Sequence, residues 1–257
     1  ESTGDGLTLR VENFGLGHDI DNNTGHGRAP RERSVPAGES VRSTCDTRET
    51  ALTVEHMRLT HFGHSCVLVE LNGTTVLFDP GNFSHGFEGI TGLDAILITH
   101  QHPDHADQER LPALLDGNPG AALYADPMTA SQLGERWNVA RAGDVFSVGD
   151  VQVTGVGGTH AVIHPEMPVV DNTGYMLGTG ENGSLLFHPG DSLFVPEQKV
   201  DVLALPAAAP WSKISETVEF LRAVAPRAAF PIHQAIIAEQ ARGVFYGRFT
   251  EMADELR

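Results

Sequence analysis

Residues 98–107, ITHQHPDHAD, hold three histidines and two aspartates directly after the apolar run AILIT. A plain connection at the end of a buried strand would draw on Gly, Asn, Ser or Pro instead. His100 and His102 stand two apart, so in an extended segment both imidazoles point the same way and can meet one cation. Pro103 ends that stretch, and Asp104 and His105 come from the next turn, where they reach a different point close by. The pattern suits two metal ions sharing one loop, provided that other segments complete each site to about four imidazole or carboxylate ligands.

Three further segments supply such groups. GVGGTH sets His160 after the run VQVTGV, LLFHPGD sets Asp191 after SLLF, and AAFPIH sets His233 after AAF. Each time an apolar strand delivers a ligand-type side chain into the loop at its C-terminal end. Ligands carried by separate strands converge if those strands end at one rim of a layered fold.

The elements that must do the positioning are visible in the patterning. VLVEL and TTVLF flank Asn72-Gly73, the strongest short hairpin signal. Ala95–Thr99 is an apolar run too short for a helix and reads as a buried strand. ADQERLPALLDG reads as a short helix and ALYAD as a strand. DPMTASQLGERW reads as a helix with Asp126 as N-cap and Pro127 at its first position. Hairpins follow across Gly149-Asp150 and Asn182-Gly183. Then come the strand VDVLALPA, a helix starting at Ser212 or Ser215, the strand RAAF and two closing helices. Two halves, each with hairpins followed by helices, imply an α/β sandwich: two facing sheets with helices outside. Residues 1–56 are rich in Gly, Thr, Arg, Asp and Glu without a sustained period, and are expected to be a flexible extension or leader. The domain proper is expected over 57–257.

Composition narrows the function. A formal net charge of −17 opposes binding to a phosphate backbone, so nucleic acid is not an expected partner. With two cysteines and no C-x-x-C, neither a disulfide scaffold nor thiolate-bound zinc is expected. No apolar run is long enough to span a membrane and no signal peptide is visible, so the simplest reading is cytoplasmic. No G-x-S-x-G is present, so a serine nucleophile is not expected.

HQHPDH resembles the H-x-H-x-D-H signature of the metallo-β-lactamase superfamily, and His160, Asp191 and His233 match its later motifs in order. Asp79 in VLFDP matches the aspartate that follows an early hairpin in that family. The opening MRLTHFGHSCVLVE and the closing PIHQ look most like the branch of L-ascorbate-6-phosphate lactonases and related metal-dependent hydrolases. The resemblance covers about residues 57–237 and implies an αββα sandwich of two mixed sheets. It implies that His100, His102 and His160 hold one metal, that Asp104, His105 and His233 hold a second, and that Asp191 bridges them. Asp79 would then accept the free ring N–H of a ligand histidine. The cofactors implied are two divalent ions, zinc first, with manganese or iron as alternatives. The activity implied is hydrolysis of a small ester-type substrate, a lactone first, by a hydroxide bridging the metals, with Asp104 or Asp191 moving the proton. A phosphodiesterase is the alternative within enzymes. A non-catalytic metal-binding or sensor protein is the alternative outside them.

Other histidines weigh less. His164 is expected to line the pocket or cap a turn, and His64, beside Gly63, is balanced between a structural and a pocket role. Trp211 is expected in core packing rather than at the pocket wall. The expected partner is a small molecule, and a homo-oligomer is left open.

Overall fold

The computed structural model of the chain describes residues 8–13, 56–179 and 184–254. One sheet has seven strands in chain order: β1 (Thr8–Asn13), β2 (His56–His61), β3 (Val67–Leu71), β4 (Thr74–Phe78), β5 (Ala95–Ile98), β6 (Ala122–Ala125) and β7 (Asn138–Val139). The other has six: β8 (Val145–Val148), β9 (Val151–Gly157), β10 (Thr173–Gly178), β11 (Ser184–His188), β12 (Val200–Pro206) and β13 (Ala228–Ile232). Its spatial order is β13-β12-β11-β10-β9-β8. Both sheets are mixed. β2-β3-β4 are antiparallel and β4-β5-β6-β7 parallel; β8 to β11 are antiparallel and β11-β12-β13 parallel. β1, from the stretch expected to stand apart, pairs in parallel with β2. The rest of residues 1–55 lies outside the described residues.

Strand alternation builds the layers. In β5, Ala95 and Leu97 face the second sheet, while Ile96 and Ile98 face outward with α1 (Leu111–Gly117) and α2 (Pro127–Leu133). In β12, Val202 and Ala204 face inward, while Leu203 and Leu205 pack under α3 (Ile214–Val224) and α4 (Glu239–Asp254). Period-two patterning with both faces apolar is what a strand buried between layers requires. The result is the expected αββα sandwich.

Turn chemistry fixes the register. Asn72 and Gly73 both take positive φ, 50° and 81°, so Leu71 pairs with Thr74 across a tight hairpin. Val148 pairs with Val151 across Gly149-Asp150. The Asn182-Gly183 turn lies outside the described residues, though β10 and β11 pair as its hairpin requires.

The helices depart from expectation at their ends. Leu111 opens α1, because Asp107 uses its carboxylate on the backbone N–H of Glu109 and ties 107–110 into a turn. α3 begins at Ile214, not at a serine cap: the Glu216 carboxylate accepts the Lys213 backbone N–H at 2.8 Å. The two closing helices are one 3₁₀ turn, Gln234–Ile236, and one continuous helix, α4. Among the described residues, no helix is long and apolar enough to cross a membrane.

α2 does start at its expected cap. Asp126 Oδ1 accepts the N–H groups of Met128 (3.0 Å) and Thr129 (3.2 Å). Burial nonetheless pushes the Asp126 carboxyl up to about 6. A folded-state value above the unfolded one means that ionisation costs stability, and the cost grows as pH rises from about 4 to about 6. Asp126→Asn keeps the cap acceptor and removes the charge. At pH 8 its unfolding free energy should exceed that of the parent by about 3 kcal/mol, and the gap should close below about pH 4. Urea titrations at both pH values check this.

Candidate metal centre

The site grows from the ends of β4 and β5. Asp79 follows β4 with φ 43°, a strained value for a non-glycine residue, and its N–H donates to Leu97 O at 3.0 Å. Its fully buried carboxylate accepts the Thr99 N–H (2.8 Å) and the Thr99 hydroxyl (2.7 Å), which locks the start of the histidine loop. The same Oδ2 accepts from His105 Nδ1 at 2.7 Å, and Nε2 of that ring is left to face the site. Gly81 admits the loop: a Cβ there would sit 1.7 Å from the Asp104 carbonyl oxygen. The second sheet is pinned to the same rim, with Thr173 N–H donating to Thr99 O (2.9 Å) and Tyr175 OH to Ile98 O (3.0 Å).

Two groups of ligand atoms result. His100, His102, His160 and Asp191 place their atoms within 4.8 Å of one another, and so do His64, His105 and His233. Asp191 joins them through its separate oxygens. Oδ1 lies 2.9 Å from His105 Nε2 and 3.0 Å from His233 Nε2, while Oδ2 lies 3.2 Å from His160 Nε2. The remaining ring nitrogens are anchored outward. His160 Nδ1 donates to Ala161 O at 2.5 Å and His233 Nδ1 to Ala208 O at 3.2 Å. That fixes tautomers with lone pairs aimed inward, the usual preparation of a metal-binding histidine.

The donor set fits divalent cations. His160 Nε2, His233 Nε2 and Asp191 Oδ1 are buried and have no hydrogen-bond partner, although they face one another. Buried polar atoms are rarely left this way without a further ligand. Imidazole nitrogen with carboxylate oxygen, and no thiolate, suits zinc, manganese or iron. The electrostatics also call for positive charge. Burial alone would raise the Asp191 carboxyl, but His233, His105 and His100 outweigh it and hold it well below the usual range. Burial would lower His105, but Asp191 and Asp79 raise it well above the ordinary imidazole value. His100, where burial dominates and His105 adds to it, is pushed well down.

All seven ligand residues implied by the resemblance come to this rim, with one difference in arrangement. Asp104 stands beside the second group, its Oδ2 accepting from His64 Nε2 at 2.9 Å, and His64 takes the place within the group. His64 (φ 49°) and His233 (φ 64°) share the left-handed region, their rings stack at 4.8 Å, and His233 N–H donates to His64 O at 3.1 Å. The sequence carries two signs of this: His64 directly follows a glycine, and it lies in MRLTHFGHSCVLVE, a stretch that the resemblance sets near the pocket. His164 is not brought in: it is exposed, and its Nδ1 accepts the Glu166 N–H at 3.2 Å. Sequence reasoning placed Trp211 in the core, but its indole Nε1–H donates to Asp191 Oδ2 at 2.8 Å. Its ring also stands edge-on to His160 and His233. Twenty residues separate the partners, and no local spacing encodes such a contact.

Comparison with known proteins agrees with this geometry. A family model described as beta-lactamase superfamily domain matches residues 58–233. Protein Rv0786c of Mycobacterium tuberculosis is 64% identical over 196 residues, covering 76% of this chain and 92% of the relative. A UPF0173 metal-dependent hydrolase of Carboxydothermus hydrogenoformans is 27% identical over 193 residues, 69% of this chain and 84% of its own. Among solved structures, Igni18, a metallo hydrolase of Ignicoccus hospitalis, superimposes with a TM-score of 0.57 at 21% identity, covering 76% of this chain and 91% of that one. The metallo-beta-lactamase fold protein YhfI of Bacillus subtilis gives 0.51 at 16% identity, with 66% and 78% covered. The sandwich, the histidine loop at its rim and these relatives lead to one conclusion: the chain belongs to the metallo-β-lactamase superfamily and is one of its metal-dependent hydrolases.

Proposed function

We propose that this hydrolase opens a small carboxylic ester, a lactone first, with one divalent cation at each of the two ligand groups. The observation that carries the reading is the division of the Asp191 carboxylate, one oxygen to each group. When bound, such a pair supplies an activated water and an electrophilic clamp on the carbonyl oxygen. The chain's own groups do the rest. Asp79 and the backbone carbonyls of Ala161 and Ala208 hold the ligand rings in their tautomers. Asp104 is partly exposed beside the second group. Burial would raise its carboxyl, but the His64 hydrogen bond and the nearby His105 lower it to about 2, so it is ionised at neutral pH. Its oxygen can take the proton of the attacking water and pass it to the leaving alkoxide as the C–O bond breaks.

The first test is acid release from a lactone panel in weak buffer with added zinc or manganese. Turnover that a chelator abolishes and metal restores is the expected result. A flat trace from metal-loaded protein would overturn the lactone reading. Asp191→Ala should lose bound metal, read by elemental analysis, and at least about 100-fold in turnover, because both groups lose an oxygen. Unchanged turnover would exclude a bridging role.

Trp211 supplies a third check. Its N–H occupies one lone pair of Asp191 Oδ2 and so sets how that oxygen meets the first group. Trp211→Phe keeps the ring and removes the donor. Metal affinity, measured by chelator competition, should fall by roughly 10-fold, the lower end for loss of a hydrogen bond behind a ligand.

A further inference from the structure

The exposed apolar side chains of this protein are not scattered. Twelve large ones are exposed among the described residues, and nine lie in segments that follow or touch the metal centre. The longest segment is 161–171, directly after His160. Its neck is closed by His160 N–H on Val170 O (3.1 Å) and Gly158 N–H on Asn172 O (2.9 Å). It is tied to the centre where Ala161 N–H donates to Asp191 O at 2.8 Å. Between neck and tip it exposes Val162, Ile163, Met167 and Val169, from 38% at Ile163 to 55% at Val162. At its far end the Asp171 N–H meets the sulfur of Met128, itself exposed, at 3.4 Å.

The other segments repeat the pattern. Phe194, three residues after Asp191, packs beside Gly157, where a Cβ would come within 3.6 Å of it. Ile236 sits in the turn that follows His233. Across the centre, Phe83 stands edge-on to His64 at 5.2 Å with nearly half its surface exposed. Solitary exposed apolar residues need no explanation, but their concentration around one polar centre marks a binding surface.

Charge narrows what binds there. Residues 80–88, 161–171, 192–198 and 234–238 contain no lysine and no arginine, but they do contain Glu88, Glu166, Asp171 and Glu197. Lys199 follows the third segment, and the cations beside the others are engaged, Arg110 with Asp107 and Glu88 and Lys213 with Glu216, so a phosphorylated or carboxylated substrate would find no unpaired cation on these segments and would meet a protein of net charge −17.

We propose that the substrate carries an uncharged apolar chain beside its scissile carbonyl, and that this chain lies on the apolar rim formed by the 161–171 loop and Phe194. The proposal rests on the ester-cleaving reading above and adds to it the chemical class of the group flanking the bond. A linear acyl or alkyl chain is favoured over a sugar, because the loop offers apolar area and few side-chain hydrogen-bonding groups. His164, its one imidazole, already accepts the Glu166 N–H.

The experiment separates this inference from the hydrolytic reading by using binding. Straight-chain hydroxamates share one metal-chelating head and differ only in tail length. Their affinities for the metal-loaded protein are measured by calorimetry for the acetyl, hexanoyl and decanoyl members. On an apolar rim, each added methylene should tighten binding about two- to fourfold, the upper value being full burial. Ile163→Ser/Met167→Ser, at exposed positions, should shrink the hexanoyl-to-acetyl ratio by about 10-fold or more while bound metal and far-UV circular dichroism stay as in the parent. A ratio near one in the parent overturns the proposal, and so does a ratio that the loop variant leaves intact. If the ratio is near one and the variant instead converts a dimer to a monomer, by light scattering, the rim is an interface between copies of this chain. A steep ratio in a protein that hydrolyses no ester or lactone would keep the rim assignment and sink the hydrolytic one.

Discussion

A carboxylate with both oxygens buried among imidazoles is the constraint on which the rest of the structure turns. An isolated buried charge costs several kcal/mol, so Asp191 is tolerable only if positive charge surrounds it. The protein meets part of that demand itself, through His105 and the Trp211 N–H, and leaves the rest to a bound cation, because His160 and His233 turn lone pairs inward. His105 and His233 approach one oxygen, and His160 and the Trp211 N–H approach the other. The backbone holds the residue in place: Asp191 N–H donates to Asn172 Oδ1, and the Asn172 amide donates to Pro189 O. Gly190 has φ 61°, and a Cβ there would collide with Thr99 and Asn172, so the turn that presents the carboxylate must lack a side chain.

Presenting so many polar groups at one point requires backbone that regular strands cannot provide. Asp79, His64 and His233 all take positive φ, which costs roughly 1 kcal/mol or more each for residues with a Cβ. Such conformations persist where surrounding contacts over-determine them, and here they do. Asp79 is held by Thr99 and His105, and His64 and His233 are held by each other. The facing sheets make this affordable, because their apolar inner faces supply stability far from the polar rim. Strain at one end of the sandwich is thus carried by burial in the middle.

The fold was legible where local chemistry decides it. Asn72-Gly73 can hardly be anything but a hairpin, and the alternation of Ala95, Ile96, Leu97 and Ile98 marks a strand buried on both faces. The histidine loop was legible because its residue types have no structural use at that density. Contacts made across long sequence separations were not legible. The indole of Trp211 reaches Asp191 only because a loop folds back over the rim, and periodicity carries no record of that. The place of His64 in the second group depends on its own left-handed backbone angle and on pairing with His233, far along the chain. α4 shows tertiary context overriding propensity. Gly243 and Gly247 each cost a helix about 1 kcal/mol, but the helix runs through both because Phe245 and Phe249 pack against the α3 layer.

The same division separates what the superfamily shares from what this chain adds. The candidate ligands sit in the turns at strand ends, held there by Asp79, by Asn172 and by the paired backbones of His64 and His233. The 161–171 loop that leaves His160 is tied at its neck, to Asp191 O and the Met128 sulfur, and by one turn in which Met167 N–H donates to His164 O, and between those ties its apolar side chains are exposed. Selectivity therefore has to reside in the side chains the loops hold out. On this chain those side chains are apolar, and the segments carrying them lack positive charge. A polar metal centre ringed by apolar surface suits a molecule with the same division: a reactive polar head and a tail that leaves water on binding. Burial of the tail would then supply binding energy without disturbing the electrostatic balance around Asp191, which further charges at the rim would upset.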